Sequence, residues 1–280
     1  MTQTANPLKS FFRQPAIYIR LPSDGQFWPP GSVDIPINRE LPVLPMTAMD
    51  EITYRTPDAL FNGAAVVTVV QSCIPNIKNA WHMPNCDLNA ILTAIRIASF
   101  GKAMPISSAC PACNSENEFD VDLQAVMSQL SMSDYAESVK QGDLEVYFHP
   151  MDYQNQTDVN LLQFEQQRIL NLLPGTDMPD EEKSKRLNQA VKAITEITVK
   201  AIKNSIKGIR TPQALVTEPE FIQEFLLNCD RNLYIQIRDH AIKLRVNDDF
   251  KPIDIQCPEC QHEYQQQFTL DTATFFDNAS

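Results

Sequence analysis

Glycine is scarce in this chain, whose 280 residues include seven glycines beside twenty prolines. Loops that cradle phosphate groups depend on glycine, and neither GxGxxG nor GxxxxGK[ST] occurs in the sequence. The GxSxG turn of many hydrolases is absent as well. These absences exclude the common nucleotide-binding and hydrolase classes. The prolines crowd the first 60 residues, where they favour short extended segments over helices.

Long apolar runs are also lacking. No stretch reaches the roughly 18 uninterrupted apolar residues that indicate a membrane span, and polar residues interrupt the start before an apolar core of signal-peptide length. We therefore expect a soluble protein with no membrane association. Seven cysteines, an odd number in a long chain, argue against a disulfide framework and favour a reducing, intracellular setting during assembly.

Positive charge is in deficit, with 23 basic residues against 35 acidic ones and a net charge of −12. Such a field repels phosphate backbones, so nucleic-acid binding requires a segregated basic face. The best candidate comprises Lys200, Lys203, Lys207 and Arg210. We interpret it as a solvated face or a protein contact, and we expect no nucleic-acid partner. No Ser/His/Asp or Cys/His set is recognisable, so we predict no catalytic residue, no cofactor-binding residue and no small-molecule substrate.

What the chain does contain is one short pattern in two copies, 147 residues apart. Each copy has Pro-Ile, three residues, a Cys-Pro-x-Cys knuckle, seven residues and an apolar-x-Leu ending. The first copy covers residues 105–123 and the second covers 252–270. A knuckle inside a short strand-turn-strand stretch is typical of a β-hairpin that presents two thiolates.

The cysteines of the two knuckles supply the four thiolates that a tetrahedral structural zinc site requires, namely Cys110, Cys113, Cys257 and Cys260. We therefore predict two equivalent hairpins that face each other around one Zn²⁺, as in a zinc ribbon. Four thiolates close the coordination shell, which disfavours catalytic zinc. A redox role is disfavoured because a helix of a βαβ unit normally follows a redox motif of this kind.

Three alternatives stay open for these cysteines. They can be four free thiols in turns, or His262 can replace one sulfur after a rotation of one arm. The two knuckles can also share a metal within one chain or across two chains. The remaining cysteines, Cys73, Cys86 and Cys229, lie in apolar or helical surroundings and are interpreted as small buried hydrophobic residues.

Strand and helix patterns are mixed along the chain, which predicts an α+β fold. We predict an N-terminal β/α region over residues 1–104 and a mainly helical C-terminal region over 125–251. A discontinuous zinc-ribbon-like unit with four cysteines, formed by residues 105–124 plus 252–271, joins the two regions. Residues 272–280 form a C-terminal tail.

Individual elements follow from periodicity and capping signals. Strands are predicted over residues 16–21, 33–37 and 144–148, and helices over 87–100, 180–201 and 233–244. Further helix starts are expected at Thr47 with Asp50, at Thr157 with Asp158, and at a capping box of Thr217 with Glu220. The β-branched residues in 197–209 leave open where the helix that begins near 180 ends.

Paired aromatic residues lie in segments that lack helix caps, namely Phe11-Phe12, Phe27-Trp28 and Phe275-Phe276. Such side chains either anchor in a partner's pocket or fold back on the chain's own core. For Trp28 we favour the core. Both interpretations stay open for the two terminal pairs.

The order of several phrases resembles a known family. Residues 21–28 have the form L-P-S-x-G-x-x-W, residues 44–51 have the form L-P-M-T-x-x-D-E, and residues 56–60 read T-P-D-A-L. A helix that ends near Gly101 and a C-terminal run of helices follow these phrases. This order of phrases and helices resembles the T-even-type bacteriophage baseplate hub family of contractile tails. The resemblance covers most of residues 16–275.

The resemblance implies a non-enzymatic structural or assembly component of the baseplate hub, in contact with other phage baseplate hub and wedge proteins. It also implies a place in the virion tail baseplate, and in the host cytoplasm during assembly. A zinc-ribbon adaptor of transcription or replication machinery is the alternative, and the net charge counts against it. A metalloenzyme comes third, because it needs an open coordination position at the metal.

Overall fold

The computed structural model describes residues 6–56, 62–172 and 179–269. The chain has the mixed α+β architecture that the sequence predicts. The helices are α1 Ala48–Tyr54, α2 Ala64–Cys73, α3 Asn85–Phe100, α4 Leu123–Ser128, α5 Tyr153–Leu172, α6 Asp180–Lys203, α7 Pro219–Asn228 and α8 Arg231–Asp248. The strands are β1 Ile17–Ile19, β2 Leu41–Val43, β3 Ala103–Ala109, β4 Glu116–Asp122, β5 Val139–Gln141, β6 Leu144–Phe148, β7 Ile206–Arg210, β8 Leu215–Val216, β9 Ile253–Gln256 and β10 Glu263–Gln266. Two short 3₁₀ helices cover Pro7–Phe11 and Ala80–His82.

The N-terminal core is built around α3, at the position that periodicity predicts. Apolar residues recur at helical spacing along the helix and face the core: Leu88, Ile91, Leu92 and Ile95. The helix ends at Gly101, whose φ of 89° suits a residue without a side chain. Strands β1 and β2 pair antiparallel and cover the same core together with α2.

A buried carboxylate ties the N-terminal loop to the first turn of α3. Asp87 accepts hydrogen bonds from the Ser23 backbone N–H at 2.8 Å, the Ser23 hydroxyl at 2.5 Å and the Trp28 Nε1–H at 2.8 Å. Burial raises the pKa of the Asp87 carboxyl, while the Ser23 and Trp28 donors oppose that rise. Gly25 turns the loop with a φ of 82°, and a Cβ there would lie 2.9 Å from Ile35 Cγ1. Trp28 therefore belongs to the chain's own core, as predicted.

The C-terminal part is organised around a four-stranded antiparallel sheet in the order β5-β6-β7-β8. Strand β6 has its predicted bounds, and Val146 and Phe148 on it are buried against α6, α7 and α8. Helix α6 ends at Lys203 and strand β7 begins at Ile206. The end of the long helix, which the sequence left open, is therefore at Lys203. This change from helix to strand is stabilised by the long-range pairing of β7 with β6 and by the local pairing of β7 with β8.

The second predicted strand is wrong in position. Residues 33–37 contribute a single bridge, between Val33 and Ile77, and β1 pairs instead with the later strand β2. The chain turns between the two segments where the Arg39 N–H donates to the Pro36 carbonyl at 2.9 Å. Arg39 adopts a left-handed φ of 60° in this turn. Both segments are short and extended in sequence, so only the tertiary pairing distinguishes them.

The start of α5 lies earlier than predicted. The helix begins at Tyr153 because the Asp152 carboxylate accepts a hydrogen bond from the Asn155 backbone N–H at 2.7 Å. Thr157 lies within the helix and is buried. A Cβ built on Gly63 would lie 3.0 Å from its hydroxyl, so Thr157 serves close packing and is not a helix cap.

The predicted capping box at the start of α7 is also wrong. The helix begins at Pro219 and its N-cap is Glu218, so Thr217 lies one residue too early to cap it. The fixed φ of proline suits the first helical position and sets this start. The helix start predicted at Thr47 with Asp50 is confirmed, and in the structure these two residues form a capping box at the start of α1.

Candidate metal centre

The two knuckles lie at the tips of two β-hairpins. The hairpin of β3 and β4 pairs seven residues of each strand, and the hairpin of β9 and β10 pairs four. Neither hairpin joins a larger sheet within the described residues. Isolated two-stranded hairpins are marginally stable in water, so each depends on further contacts.

The two knuckles have the same local geometry. In the first, the Asn114 N–H donates to the Cys110 carbonyl at 2.8 Å, and in the second the Gln261 N–H donates to the Cys257 carbonyl at 2.9 Å. Asn114 and Gln261 both adopt left-handed φ angles, of 57° and 61°. Asparagine tolerates this conformation well, whereas it is uncommon for glutamine. The shared turn therefore explains why the repeat in sequence is also a repeat in structure.

Four sulfur atoms from distant parts of the chain meet between the hairpin tips. The Sγ atoms of Cys110 and Cys260 lie 3.7 Å apart, as do those of Cys113 and Cys257. All four Sγ atoms lie within 4.8 Å of one another. A tetrahedron with Zn–S bonds of about 2.3 Å has S···S edges of about 3.8 Å. The donor type, number and spacing therefore fit a tetrahedral metal ion bound by one chain.

The environment of the sulfurs favours the thiolate form at some positions. Cys110 and Cys257 are fully buried, whereas Cys113 and Cys260 are exposed. The Ser115 hydroxyl, followed by the backbone N–H of Cys260, lowers the pKa of Cys257 to about 6. Ser115 also lowers the pKa of Cys113. Thiolates are the form that binds metals, so the shifts at Cys257 and Cys113 assist metal binding. At Cys260 the His262 backbone N–H lowers the pKa, but desolvation and the hydrogen bonds with the other sulfurs outweigh it and raise the pKa to about 12.

His262 lies outside the group of close donor atoms. It occupies the place in the second knuckle that Ser115 has in the first, but its ring stacks on Tyr264 with 6.3 Å between centroids. The Ser115 hydroxyl, by contrast, lies 3.0 Å from the Cys113 Sγ and 3.5 Å from the Cys257 Sγ. Among the described residues, the group that can hold a metal consists of the four cysteines.

The other ends of the hairpins meet in a small apolar cluster. Its buried members are Val121, Leu123, Phe250 and Phe268. The rings of Phe250 and Phe268 meet edge to face with 5.0 Å between centroids. Between this cluster and the sulfurs, Ser108 donates a hydrogen bond to Gln266 Oε1 at 2.7 Å, and the Tyr264 hydroxyl donates to Ser108 Oγ at 3.0 Å. The sulfur positions are therefore supported by contacts along the full length of both hairpins.

Removing an aromatic ring from this cluster tests whether the cluster supports the sulfur positions. We expect Phe250→Ala to lower the free energy of unfolding by about 3 kcal/mol, because it leaves a cavity under both hairpins. The same variant is expected to release zinc to a chelator faster than the wild type. Phe221→Ala on α7 is the matched control, since Phe221 is 60% exposed and its loss should change stability by less than about 0.5 kcal/mol. Equal stability and equal zinc release in the two variants would contradict the packing argument.

The remaining cysteines do not join the cluster. Cys73 and Cys86 are buried, as predicted, and Cys229 is half-buried. Burial raises the pKa of Cys73 to about 12, which keeps the thiol protonated and inert. The other histidines make structural contacts: His82 with the Ser32 hydroxyl, His149 with the Pro150 carbonyl, and His240 with the Phe148 ring.

The predicted basic face is partly engaged within the chain. Lys203 Nζ donates to Gln223 Oε1 at 3.3 Å, and the Arg210 guanidinium lies 5.2 Å from the centre of the Tyr147 ring. The interpretation of this face as solvated or protein-contacting stays a prediction. Of the terminal aromatic pairs, Phe11 and Phe12 are exposed. The second pair, Phe275 and Phe276, lies outside the described residues, as does Leu270 at the end of the second repeat.

A family model described as T4 bacteriophage base plate protein matches residues 44–277. The chain belongs to this family. The match begins at the L-P-M-T phrase and includes both cysteine knuckles, whereas the L-P-S-x-G-x-x-W phrase precedes it. Comparisons with curated proteins and with solved structures gave no significant match.

Membership in this family makes the chain a structural component of the phage tail baseplate, with other baseplate proteins as its neighbours. The baseplate part of the resemblance seen in the sequence is thereby confirmed. Among the helices of the described ranges, none has the length and apolar character needed to cross a bilayer.

Proposed function

We propose that this baseplate protein is a structural or assembly component of the hub, held in shape by one structural Zn²⁺ and acting through contacts with hub and wedge proteins. The family match supports the baseplate role. The phrases shared with the T-even-type hub family support the hub assignment. Assembly in the host cytoplasm agrees with a chain that keeps its cysteines reduced.

The cysteine cluster carries this proposal. The two cysteine knuckles lie 147 residues apart in the sequence, yet their four sulfurs lie within 4.8 Å of one another. In this proposal the zinc ligands are Cys110, Cys113, Cys257 and Cys260. Zinc is favoured because soft thiolates in tetrahedral geometry are its usual structural ligands.

The metal acts as a clasp in this proposal. The first hairpin follows directly on α3 and the second follows directly on α8, so one ion at the two hairpin tips connects the segments that continue from both helices. The clasp is residues 105–124 plus 252–271, and it joins the N-terminal region 1–104 to the helical region 125–251. Surfaces that are fixed before binding lose less conformational entropy when a partner docks.

A closed shell of four thiolates also supports the proposed non-enzymatic role, because it disfavours catalysis at the metal. Neither water nor substrate has a free coordination position at such an ion. We accordingly assign no catalytic residue, and we expect mutations at the cysteines to affect stability and assembly without affecting any turnover.

Zinc content measured together with native mass tests the clasp. One zinc per chain in a monomer is the expected result, because one chain supplies all four sulfurs. Two zinc ions per chain would mean that each knuckle recruits other ligands, and zinc found only in dimers would mean that the knuckles pair between chains. Either outcome would overturn the internal clasp.

Co-expression with the other baseplate proteins of the same phage tests the hub assignment. We expect the chain to co-purify with hub proteins, and we expect Cys257→Ser to reduce that recovery while Cys229→Ser leaves it unchanged. Recovery with wedge proteins alone would contradict the hub role. Salt-dependent retention on DNA or RNA would instead support the adaptor alternative.

A further inference from the structure

A groove lies between two free strand edges in the zinc-ribbon-like unit. Strand β4 pairs only with β3, and β9 pairs only with β10, so each has one unpaired edge within the described residues. The groove has a volume of about 490 Å³ and is lined by residues 119–122, residues 251–256 and one face of α4. Unpaired strand edges carry free backbone N–H and C=O groups that can pair with another chain.

One side of this groove is apolar. Val121 on β4 and Ile255 on β9 are buried, each with 6% exposure. Phe119, Ile253 and Val126 of α4 are half-buried beside them. Side chains alternate between the two faces of a strand, so the residues between these apolar positions face the other way.

The opposite face of β4 is acidic, and of its carboxylates Asp120 and Asp122 line the groove. Strand β4 carries an exposed carboxylate at every second position: Glu116, Glu118, Asp120 and Asp122. Their cross-strand neighbours on β3 are uncharged, namely Ala109, Ser107, Pro105 and Ala103. Lys102 Nζ lies 3.8 Å from Asp122, whereas the other three carboxylates have no ion pair in the described part of the chain. Asp254 on β9 adds a further exposed carboxylate across the groove.

The charge of the whole unit has the same sign. Residues 103–122 contain four acidic residues and 252–269 contain three, and neither stretch contains Lys or Arg, while Lys251, just before the second stretch, places one basic side chain at the groove. These two stretches together therefore hold −7 of the chain's net charge of −12. A Zn²⁺ bound by four thiolates would add about two further negative charges. The complementary ligand is a cation, and a nucleic acid is disfavoured.

We propose that this groove binds an extended, positively charged segment of a neighbouring baseplate protein. The segment adds as a β-strand to the free edge of β4 or of β9. Its Lys or Arg side chains face the carboxylates, and its alternate apolar side chains face Val121 and Ile255. Strand addition of this kind takes affinity from backbone hydrogen bonds and specificity from alternate side chains. The inference deepens the proposed function, because it names the chemistry of one hub contact.

A synthetic peptide of about eight residues in which lysine and valine alternate is a direct probe of the full-length, zinc-loaded protein. We expect saturable binding that weakens as salt rises, because the charges at the groove are exposed. Hydrogen exchange of the backbone amides in β4 or β9 should slow when the peptide binds. A peptide in which lysine and proline alternate has the same charge but lacks half of the backbone donors, and it should not bind.

Neutralising the acidic side provides the matched test. The double variant Glu118→Gln with Asp120→Asn should bind the lysine–valine peptide about tenfold more weakly at low salt. The control is Glu220→Gln with Glu224→Gln on the exposed face of α7, which removes the same charge far from the ribbon and should leave the affinity unchanged.

Three results would overturn the groove proposal. These are equal loss of affinity in both double variants, equal binding of the proline peptide, and binding without slower exchange in β4 or β9. Zinc content is measured in the same samples. If zinc is retained and the peptide fails to bind, the groove proposal fails alone, whereas absence of zinc from the wild-type protein would contradict the clasp.

Discussion

Replacing Cys110 with serine is expected to abolish tight zinc binding. When free zinc is a thousandfold above the wild type's dissociation constant for zinc, the variant's free energy of unfolding should be lower by about 4 kcal/mol or more. The folded chain brings its four sulfurs within 4.8 Å, whereas the unfolded chain separates the two knuckles. Binding energy at such a site is therefore folding energy. The expected measurements are zinc per chain by elemental analysis and the midpoint of denaturant unfolding.

Cys229→Ser is the matched control for this prediction. Cys229 is a half-buried thiol outside the cluster, so its replacement should leave one zinc per chain. A strong chelator should lower the stability of the wild type and of this control to the level of Cys110→Ser, and should leave Cys110→Ser itself unchanged. X-ray absorption of the wild type should show four sulfurs at about 2.3 Å. A Cys110→Ser protein with one tightly bound zinc and wild-type stability would refute the clasp.

Replacing Trp28 with alanine is expected to lower the free energy of unfolding by about 3–5 kcal/mol. Trp28 is 7% exposed, so truncation leaves a large cavity in the N-terminal core. It also removes one of the three donors that hold the buried Asp87 carboxylate. Ser23 would then supply the two remaining hydrogen bonds from the loop of residues 21–28 to Asp87 of α3. Denaturant unfolding followed by circular dichroism measures the effect.

The conservative variant separates the two causes. Trp28→Phe keeps most of the apolar volume but removes the Nε1–H donor, so we expect a smaller loss of about 1–2 kcal/mol. Phe11→Ala controls for loss of an exposed aromatic ring, since Phe11 is 83% exposed, and should be near neutral. If Trp28→Ala were no more damaging than Phe11→Ala, the assignment of Trp28 to the core would have no energetic support.

Helices with regular apolar spacing could be predicted because their signal is local. The apolar pattern of α3 and the helix-start signals at Thr47 and Asp50 each lie within a few residues, and both predictions match the structure. Helix starts that depend on neighbouring side chains were harder to predict from the sequence. The Asp152 cap moved the start of α5, and Pro219 moved the start of α7. In both cases a local competitor near the predicted cap set the boundary.

Strand partners could not be predicted in the same way. Residues 33–37 and β2 are both short and extended, but only β2 pairs with β1. Strand pairing depends on contacts between segments far apart in the chain, and short strands carry little register information. The hydrogen bonds from Ser23 and Trp28 to Asp87 are also long-range, and no pattern in the sequence predicts them.

The sequence by itself determined the α+β class, the two equivalent cysteine knuckles and the resemblance to phage baseplate proteins. Each of these depends on patterns that extend over only a few neighbouring residues. Tertiary structure alone decided that both thiol pairs meet within one chain, and that the unpaired edges of β4 and β9 border one acidic groove. The physical reason is distance along the chain. A local pattern sets the shape of each hairpin, but only the packing of α3, α8 and the cluster around Phe250 and Phe268 brings the hairpins together.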